Sequence, residues 1–427
     1  MMTECDKMKE MLETLDKLCR FKSVAELTGD PTAPYGKQVN EALKFVLSAC
    51  ESFGMRVKNC DDQLGWAEIG EGSEGSEIVG IPAHLDVVPA GDGWKFSPYS
   101  ATVVDGMIYG RGVCDDKGPA VACIYAMRDI LESKIPLKRR VRLIFGQTEE
   151  NGDWTDMNYY REHEEIPAFG FTPDGDFPAI YGEKGILTLK LSMPLEKSGF
   201  LSASGGNAPN MVADYAEAKS AKGIEFSIVG KSAHGSTPEL GENAISHMFA
   251  LSELSDCPFA RFYNEKIGMH IHGEAIGADV SDEKSGRLIF NVGMLGSDAE
   301  NVFIIVNLRT PVDFDYPEIE AAISRECAPC GVTVERLSWQ APIYLDKDGE
   351  PVKTLVNIYR ECTGDDSCAK VIGGGTYARA MDNIVAFGPM FPELEPTEHQ
   401  PNECYPIEKF MQLREIYRKA IEQLANL

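Results

Sequence analysis

Short apolar runs alternate with amphipathic stretches from Lys37 to Thr172, stop alternating near Gly185, and take up again near Asp346. The alternation predicts one layered domain and the interruption predicts a second domain set inside it. Helical periodicity covers Glu4–Phe21 and Lys37–Phe53, with Gly54 as a C-cap. Glu77–Pro82 is a short apolar strand leading into His84, and Ala101–Tyr109 reads as a hairpin turning at Asp105-Gly106. Lys117–Glu132 predicts a helix, Arg140–Gly146 a strand, Asp156–Glu164 a short helix and Ala168–Thr172 a strand. Strand and helix in turn predict an α/β sheet with flanking helices.

Past Gly185 the strand-like runs Ile186–Ser192, Gly223–Val229, Arg287–Met294 and Asn301–Leu308 are separated by helices such as Asn243–Leu254, the texture of an α+β domain. After Asp346 come a helix at Pro351–Cys362, a Gly-rich turn, a strand at Ile384–Phe387 and a helix at Ile407–Ala425. The simplest account is a first domain in two parts, 1–185 and 344–427, carrying an inserted domain at 186–343. A chain of 427 residues is long for one ordinary core, which agrees.

Lys and Arg number 41 against 67 Asp and Glu, a net charge of −26, so a nucleic-acid partner is not expected. No window approaches the ~18 apolar residues of a membrane span. The first residues, with Glu4, Asp6, Lys7, Lys9, Glu10 and Glu13, lack a signal peptide's unbroken apolar stretch. A soluble, cytoplasmic protein without membrane contact is the expectation. Twelve cysteines are scattered, several in apolar segments (Cys19, Cys50, Cys123), which suits buried thiols in a reducing compartment. Cys327 and Cys330 form a C-x-x-C with no second pair to complete a zinc knuckle.

The chemistry gathers at strand ends. His84-Leu85-Asp86 follows a strand, and in extended backbone residues two apart share a face, a spacing that suits an imidazole ligand with a carboxylate to fix its tautomer. Gly110-Arg111-Gly112-Val113-Cys114-Asp115-Asp116-Lys117-Gly118 is a Gly-bounded turn that delivers acids at a helix start. There Asp115 reads either as an N-cap or as a carboxylate bridging two cations. Glu149-Glu150 ends the next strand, where adjacent like charges both ionise only if one is bound to metal. Asp174 ends the strand after it, and His399 lies far along in His399-Gln400-Pro401-Asn402-Glu403. Successive strand ends are where an open α/β sheet collects ligands, so the joint order points to a metal site.

These motifs resemble the co-catalytic metallopeptidase family that includes aminoacylase, carnosinase and glutamate carboxypeptidase, and most closely its PepV-type dipeptidases. The likeness continues in Phe171-Thr172-Pro173-Asp174, Gly230-Lys231-Ser232-Ala233-His234, Asn307-Leu308-Arg309 and Gly373-Gly374-Gly375-Thr376-Tyr377. It implies a phosphorylase/hydrolase-like zinc exopeptidase catalytic domain, a mixed sheet with flanking helices, and an inserted α+β lid domain. It further implies two divalent metal ions, zinc by default with manganese or cobalt as alternatives. Asp115 would bridge them, His84 and Asp174 completing one site and Glu150 and His399 the other. Asp86 would orient His84. Glu149 would be the general base, taking a proton from the attacking water and passing it to the leaving amine. From the lid, His234 would stabilise the oxyanion, while Arg309, Asn210 and the amides of Gly374 and Gly375 would hold the substrate carboxylate. The alignment with Lys117-Gly118 decides for Asp115 over Asp116 as the bridge. Asp174 in place of a glutamate resembles the aminopeptidase-type branch.

Cys114 departs from the small or hydroxyl residue that many relatives have ahead of the bridge, and is expected to be a packed neighbour. His270 and His272, a second His-x-His pair, read as lid surface. The expected function is a metal-dependent dipeptidase acting on unblocked dipeptides, as a monomer. The alternatives are an N-acyl amino acid hydrolase on the same scaffold and, in a different class, an inactive peptide- or metal-binding homologue.

Overall fold

A computed structural model describes residues 3–71, 76–152 and 154–427. The chain forms two compact units, Met1–Tyr181 with Leu345–Lys370 and Thr376–Leu427, and Gly182–Tyr344 with Val371–Gly375. The Gly-rich segment therefore belongs to the second unit, where the Lys184 N–H donates to the carbonyl of Ile372 at 2.9 Å.

The first unit is built on a mixed sheet. Its strands run in the order Arg56–Cys60, Leu64–Ile69, Arg140–Gly146, Ile78–His84, Phe169–Thr172, Ile384–Ala386 and Ile180–Glu183. The four from Arg140–Gly146 to Ile384–Ala386 are parallel neighbours, and the flanking pairings are antiparallel. A parallel sheet is buried on both faces, and Ile78–His84 and Arg140–Gly146 are buried at every residue. The helix Lys117–Ser133 is apolar on nearly all sides because it packs between other elements, among them the helices Glu4–Cys19 and Ile407–Ala425. Parallel strands end together, so His84 and Gly146 stand opposite one another in register. The segments that follow, residues 85–86, 147–150 and 173–174, leave the sheet at one end.

The expected hairpin forms as Thr102–Val104 and Met107–Tyr109, and its turn residues Asp105 and Gly106 have φ of 50° and 81°, the backbone such a two-residue turn needs.

The second unit is α+β. Its antiparallel sheet has the order Glu225–Val229, Tyr215–Ser220, Phe200–Gly205, Ile289–Ser297, Asn301–Thr310, Gly185–Pro194 and Thr333–Gln340. Alternate residues of the inner strands, Leu187, Leu189 and Leu191 beside Val302, Ile304, Val306 and Leu308, enter a core with the helices Ala244–Phe249, Pro258–Lys266 and Tyr316–Cys327. The helix expected over Asn243–Leu254 is shorter. It stops at Phe249, whose carbonyl accepts a bond from Asn264 Nδ2 at 2.6 Å, and a separate turn, Ser252–Leu254, follows.

A candidate metal centre at the strand ends

His84 ends its strand fully buried. Its Nδ1 lies 3.0 Å from the carbonyl of Asp86 and 3.4 Å from the Asp86 carboxylate, while Nε2 lies 2.9 Å from Asp115 Oδ1. A backbone carbonyl can only accept, so Nδ1 carries a ring proton; Nε2 faces Asp115, donating to it when no cation is present and able to offer its lone pair to a cation bound there. The other Asp115 oxygen is 3.0 Å from His399 Nε2, which is also 3.1 Å from Glu150 Oε2. One carboxylate thus turns its two oxygens to two different imidazoles. His84, Asp115 and Asp174 form one group of converging ligand atoms, and Asp115, Glu150 and His399 form another.

The donor set fits a pair of divalent cations. Glu150 Oε1 is buried without a hydrogen-bond partner, an unsatisfied carboxylate oxygen of the kind a cation completes. Without cations, burial and then the Asp174 charge raise the Glu149 carboxyl well above its ordinary range, and burial and Asp115 raise Glu150. Burial works against Asp115 too, yet hydrogen bonds from His399 and His84 hold it well below that range. His399, half of whose side chain is exposed, is pushed up to about 11, its contacts with Asp115 and Glu150 outweighing the partial desolvation that works against it. Negative charge crowded into a partly buried site is costly until positive charge joins it.

Asp86 does more than face His84. Its two oxygens accept the N–H groups of Glu149 (3.3 Å) and Glu150 (3.0 Å), so one buried carboxylate sets both glutamates and a histidine. Asp116 takes a different job from its neighbour. Its buried carboxylate accepts the His84 N–H at 3.1 Å and it joins neither ligand group, while Asp115 joins both. Nor does Asp115 cap the helix, since Asp116 occupies that position.

Glu403, quoted above only as part of a motif, anchors the turn that carries Asp115. Fully buried, it pairs with Arg111 at 2.7 Å and accepts the N–H groups of Gly112 (3.0 Å), Cys114 (2.9 Å) and Asp115 (3.3 Å). The turn is tight enough that a Cβ on Gly118 would lie 2.1 Å from the Val113 carbonyl oxygen. Asp156 does the same behind the glutamates. It accepts the N–H groups of Gln147 (2.5 Å) and Thr148 (3.1 Å), the Thr148 hydroxyl and the Tyr377 hydroxyl (2.6 Å), and the Tyr377 ring stands edge-on to His84. A charged side chain in the first turn of a helix, or closing a distant histidine motif, carries no sign of such work until the fold is known.

Cys114 is a packed neighbour, 3.4 Å from the Met390 sulfur, its thiol raised by burial and nearby carboxylates. Cys327 and Cys330 join no ligand group among the described residues, nor do His270 and His272. His270 is exposed beside Glu274, and His272 Nδ1 donates to the Leu288 carbonyl at 2.7 Å.

The expected substrate groups lie in the second unit. Arg309 is buried and its Nη1 donates to the Gly373 carbonyl at 2.8 Å. Asn210 is exposed on a loop that the buried Asn291 holds, donating from Nδ2 to the carbonyls of Pro209 and Met211, both at 2.9 Å. His234 pairs with Met211 across an isolated bridge, and the Gly235 N–H donates to the Asn210 carbonyl at 2.7 Å. So His234 and Asn210 share one small scaffold, and Arg309 and Gly373 another. Gly374 and Gly375 sit in the same segment as Gly373.

Known proteins agree with this architecture. The profile of "Peptidase family M20/M25/M40" matches residues 80–423. The Bacillus subtilis protein named "Putative dipeptidase YtjP" is 34% identical, over 98% of this chain and 98% of its own. Human carnosine dipeptidase 1 superposes over 99% of this chain and 97% of its own with a TM-score of 0.66 at 15% identity. The Saccharomyces cerevisiae di-peptidase Dug1p covers 99% and 97% with a TM-score of 0.63 at 14% identity. With a profile spanning most of its length and a relative of that similarity, the chain belongs to peptidase family M20/M25/M40.

Proposed function

We propose that the protein is a metal-dependent dipeptidase that hydrolyses unblocked dipeptides. The observation that carries this reading is Asp115, whose two oxygens serve two ligand groups at once, His84 with Asp174 and Glu150 with His399. The chemistry that two divalent cations held there supply is polarisation of the scissile carbonyl and acidification of a water. Zinc is the first choice, manganese and cobalt the alternatives, because imidazole and carboxylate ligands suit all three.

The remaining roles fall to the chain's own groups. Glu149 accepts the proton of the attacking water and hands it to the leaving amine, a task suited to the glutamate outside both ligand groups. Asp86 orients His84 and the two glutamates. In the second unit, which serves as a lid, His234 donates to the oxygen of the attacked carbonyl. Arg309, Asn210 and the amides of Gly374 and Gly375 receive the substrate's carboxylate, for which a guanidinium fork is well matched. Relatives named as dipeptidases support the choice of substrate. The many free, buried cysteines support a reducing cytoplasm, and no helix among the described residues is long and apolar enough to cross a membrane. We read the working form as a monomer, which gel filtration tests.

Metal analysis coupled to a substrate panel tests the whole. Two equivalents of divalent metal and turnover of free dipeptides are expected. Activity confined to acetyl- and succinyl-amino acids would replace this reading with an N-acyl hydrolase. Metal binding without any turnover would leave an inactive homologue.

A further inference from the structure

His234 is fixed at its backbone. Its carbonyl accepts the Thr237 N–H at 2.9 Å, and the residues on either side are tied down by Val212 N–H to the Ala233 carbonyl (2.8 Å) and Gly235 N–H to the Asn210 carbonyl (2.7 Å). What the ring can do is fixed by Ser236. The Nδ1 of His234 lies 3.3 Å from the Ser236 backbone nitrogen and 2.6 Å from its Oγ. A backbone N–H can only donate, so Nδ1 is an acceptor and the ring proton sits on Nε2. With no hydrogen on Nδ1, the serine hydroxyl also donates to it.

The opposite tautomer would turn a lone pair on Nε2 toward an approaching oxygen and repel it; the Nε2–H form offers a donor. We propose that Ser236 is a positioning residue that holds His234 as its Nε2–H tautomer, ready to donate to the carbonyl oxygen of the substrate. Ser236 is in turn backed by Gly373. A Cβ there would lie 2.9 Å from the serine Cβ, and the Gly373 carbonyl is the group that Arg309 grips. The loop of the oxyanion donor and the anchor of the carboxylate-binding arginine thus meet at Gly373. The proposal rests on the donor role given to His234.

The test uses the full-length metal-loaded protein with 15N-labelled histidine, His234→Gln to assign the resonances, and the variants Ser236→Ala and Ser236→Thr. In the wild type His234 should show an unprotonated Nδ1 and a protonated Nε2. In Ser236→Ala the two shifts should draw together as the tautomers exchange. Its kcat on dipeptides should fall about fivefold, the size of one neutral hydrogen bond, with KM little changed. Ser236→Thr should restore shifts and kcat together, which a merely structural serine would not require. Wild-type shifts and kcat in Ser236→Ala would overturn the proposal. Unchanged kcat in His234→Gln would overturn the donor role itself, while the shifts would still decide whether Ser236 sets the tautomer.

Discussion

The two units hold most of their functional side chains in opposite ways, with the half-exposed His399 and the buried Arg309 as exceptions. In the first, His84 and Asp86 are fully buried at the ends of parallel strands, and side-chain carboxylates do the holding: Asp86 on the glutamate pair, Glu403 on the Asp115 turn, Asp156 behind them. In the second, His234 and Asn210 are exposed on loops held by main-chain bonds and by the Asn291 amide. A site that must crowd like charges needs a rigid, dry frame, since any slack lets the carboxylates separate or take up protons. Groups that meet a substrate arriving from solvent can stand on exposed loops, provided the backbone beneath them is held. Damage to the first unit should therefore cost metal or the proton-transferring base, and damage to the second should spare the metal and cost oxyanion donation or substrate discrimination.

The largest effect should break the comparison at its centre. Glu149→Ala is expected to lower kcat by about 10²- to 10⁴-fold while bound metal and Tm stay near wild type; unchanged turnover would remove Glu149 from the mechanism. Next, Glu403→Gln keeps the shape but strips the charge that Arg111 and the turn amides require. A loss of about 3–5 kcal/mol in unfolding free energy, with weakened metal retention by dialysis, is expected from an uncompensated buried arginine; a variant as stable as wild type would show that the turn holds itself. In the second unit, Arg309→Lys should reduce kcat/KM by roughly 10- to 100-fold on free dipeptides, the worth of charge-assisted hydrogen bonds. C-terminally amidated dipeptides should respond far less, and an equal loss on both would remove the carboxylate from its task. Smallest of all, Asn291→Ala should raise KM about fivefold by loosening the Asn210 loop, at unchanged metal content; loss of metal in this variant would erase the distinction between the units.

The candidate ligands His84, Glu150 and Asp174 were legible in the sequence because each lies just past an apolar run, and parallel strands bring such ends together, whereas Asp115 and His399 were singled out by the family resemblance. The pairing of Asp105 with Gly106 was legible too, because a two-residue turn with positive φ at both positions admits few residue types. Glu403, Asp156 and Asn291 were not. Their partners are mostly backbone N–H and C=O groups of loops distant in sequence, and every residue carries those groups. The strand Thr333–Gln340 went unseen for a related reason. It pairs along Gly185–Pro194, but a run of its residues is exposed, so it lacks the alternation that marks a half-buried strand. The helix over Asn243–Leu254 was drawn too long because Asn264, well outside that window, takes its last carbonyl.

One feature of the division between the units bears on how such proteins can be recombined. The second unit comprises two stretches of chain, Gly182–Tyr344 and the short patch Val371–Gly375, and the patch supplies the carbonyl that Arg309 holds. A chimaera that exchanged only the long stretch would join an arginine from one parent to an anchor from the other. The heritable module is the long stretch together with its remote patch, and recombination breakpoints that respect both should yield active hybrids where a single cassette swap does not.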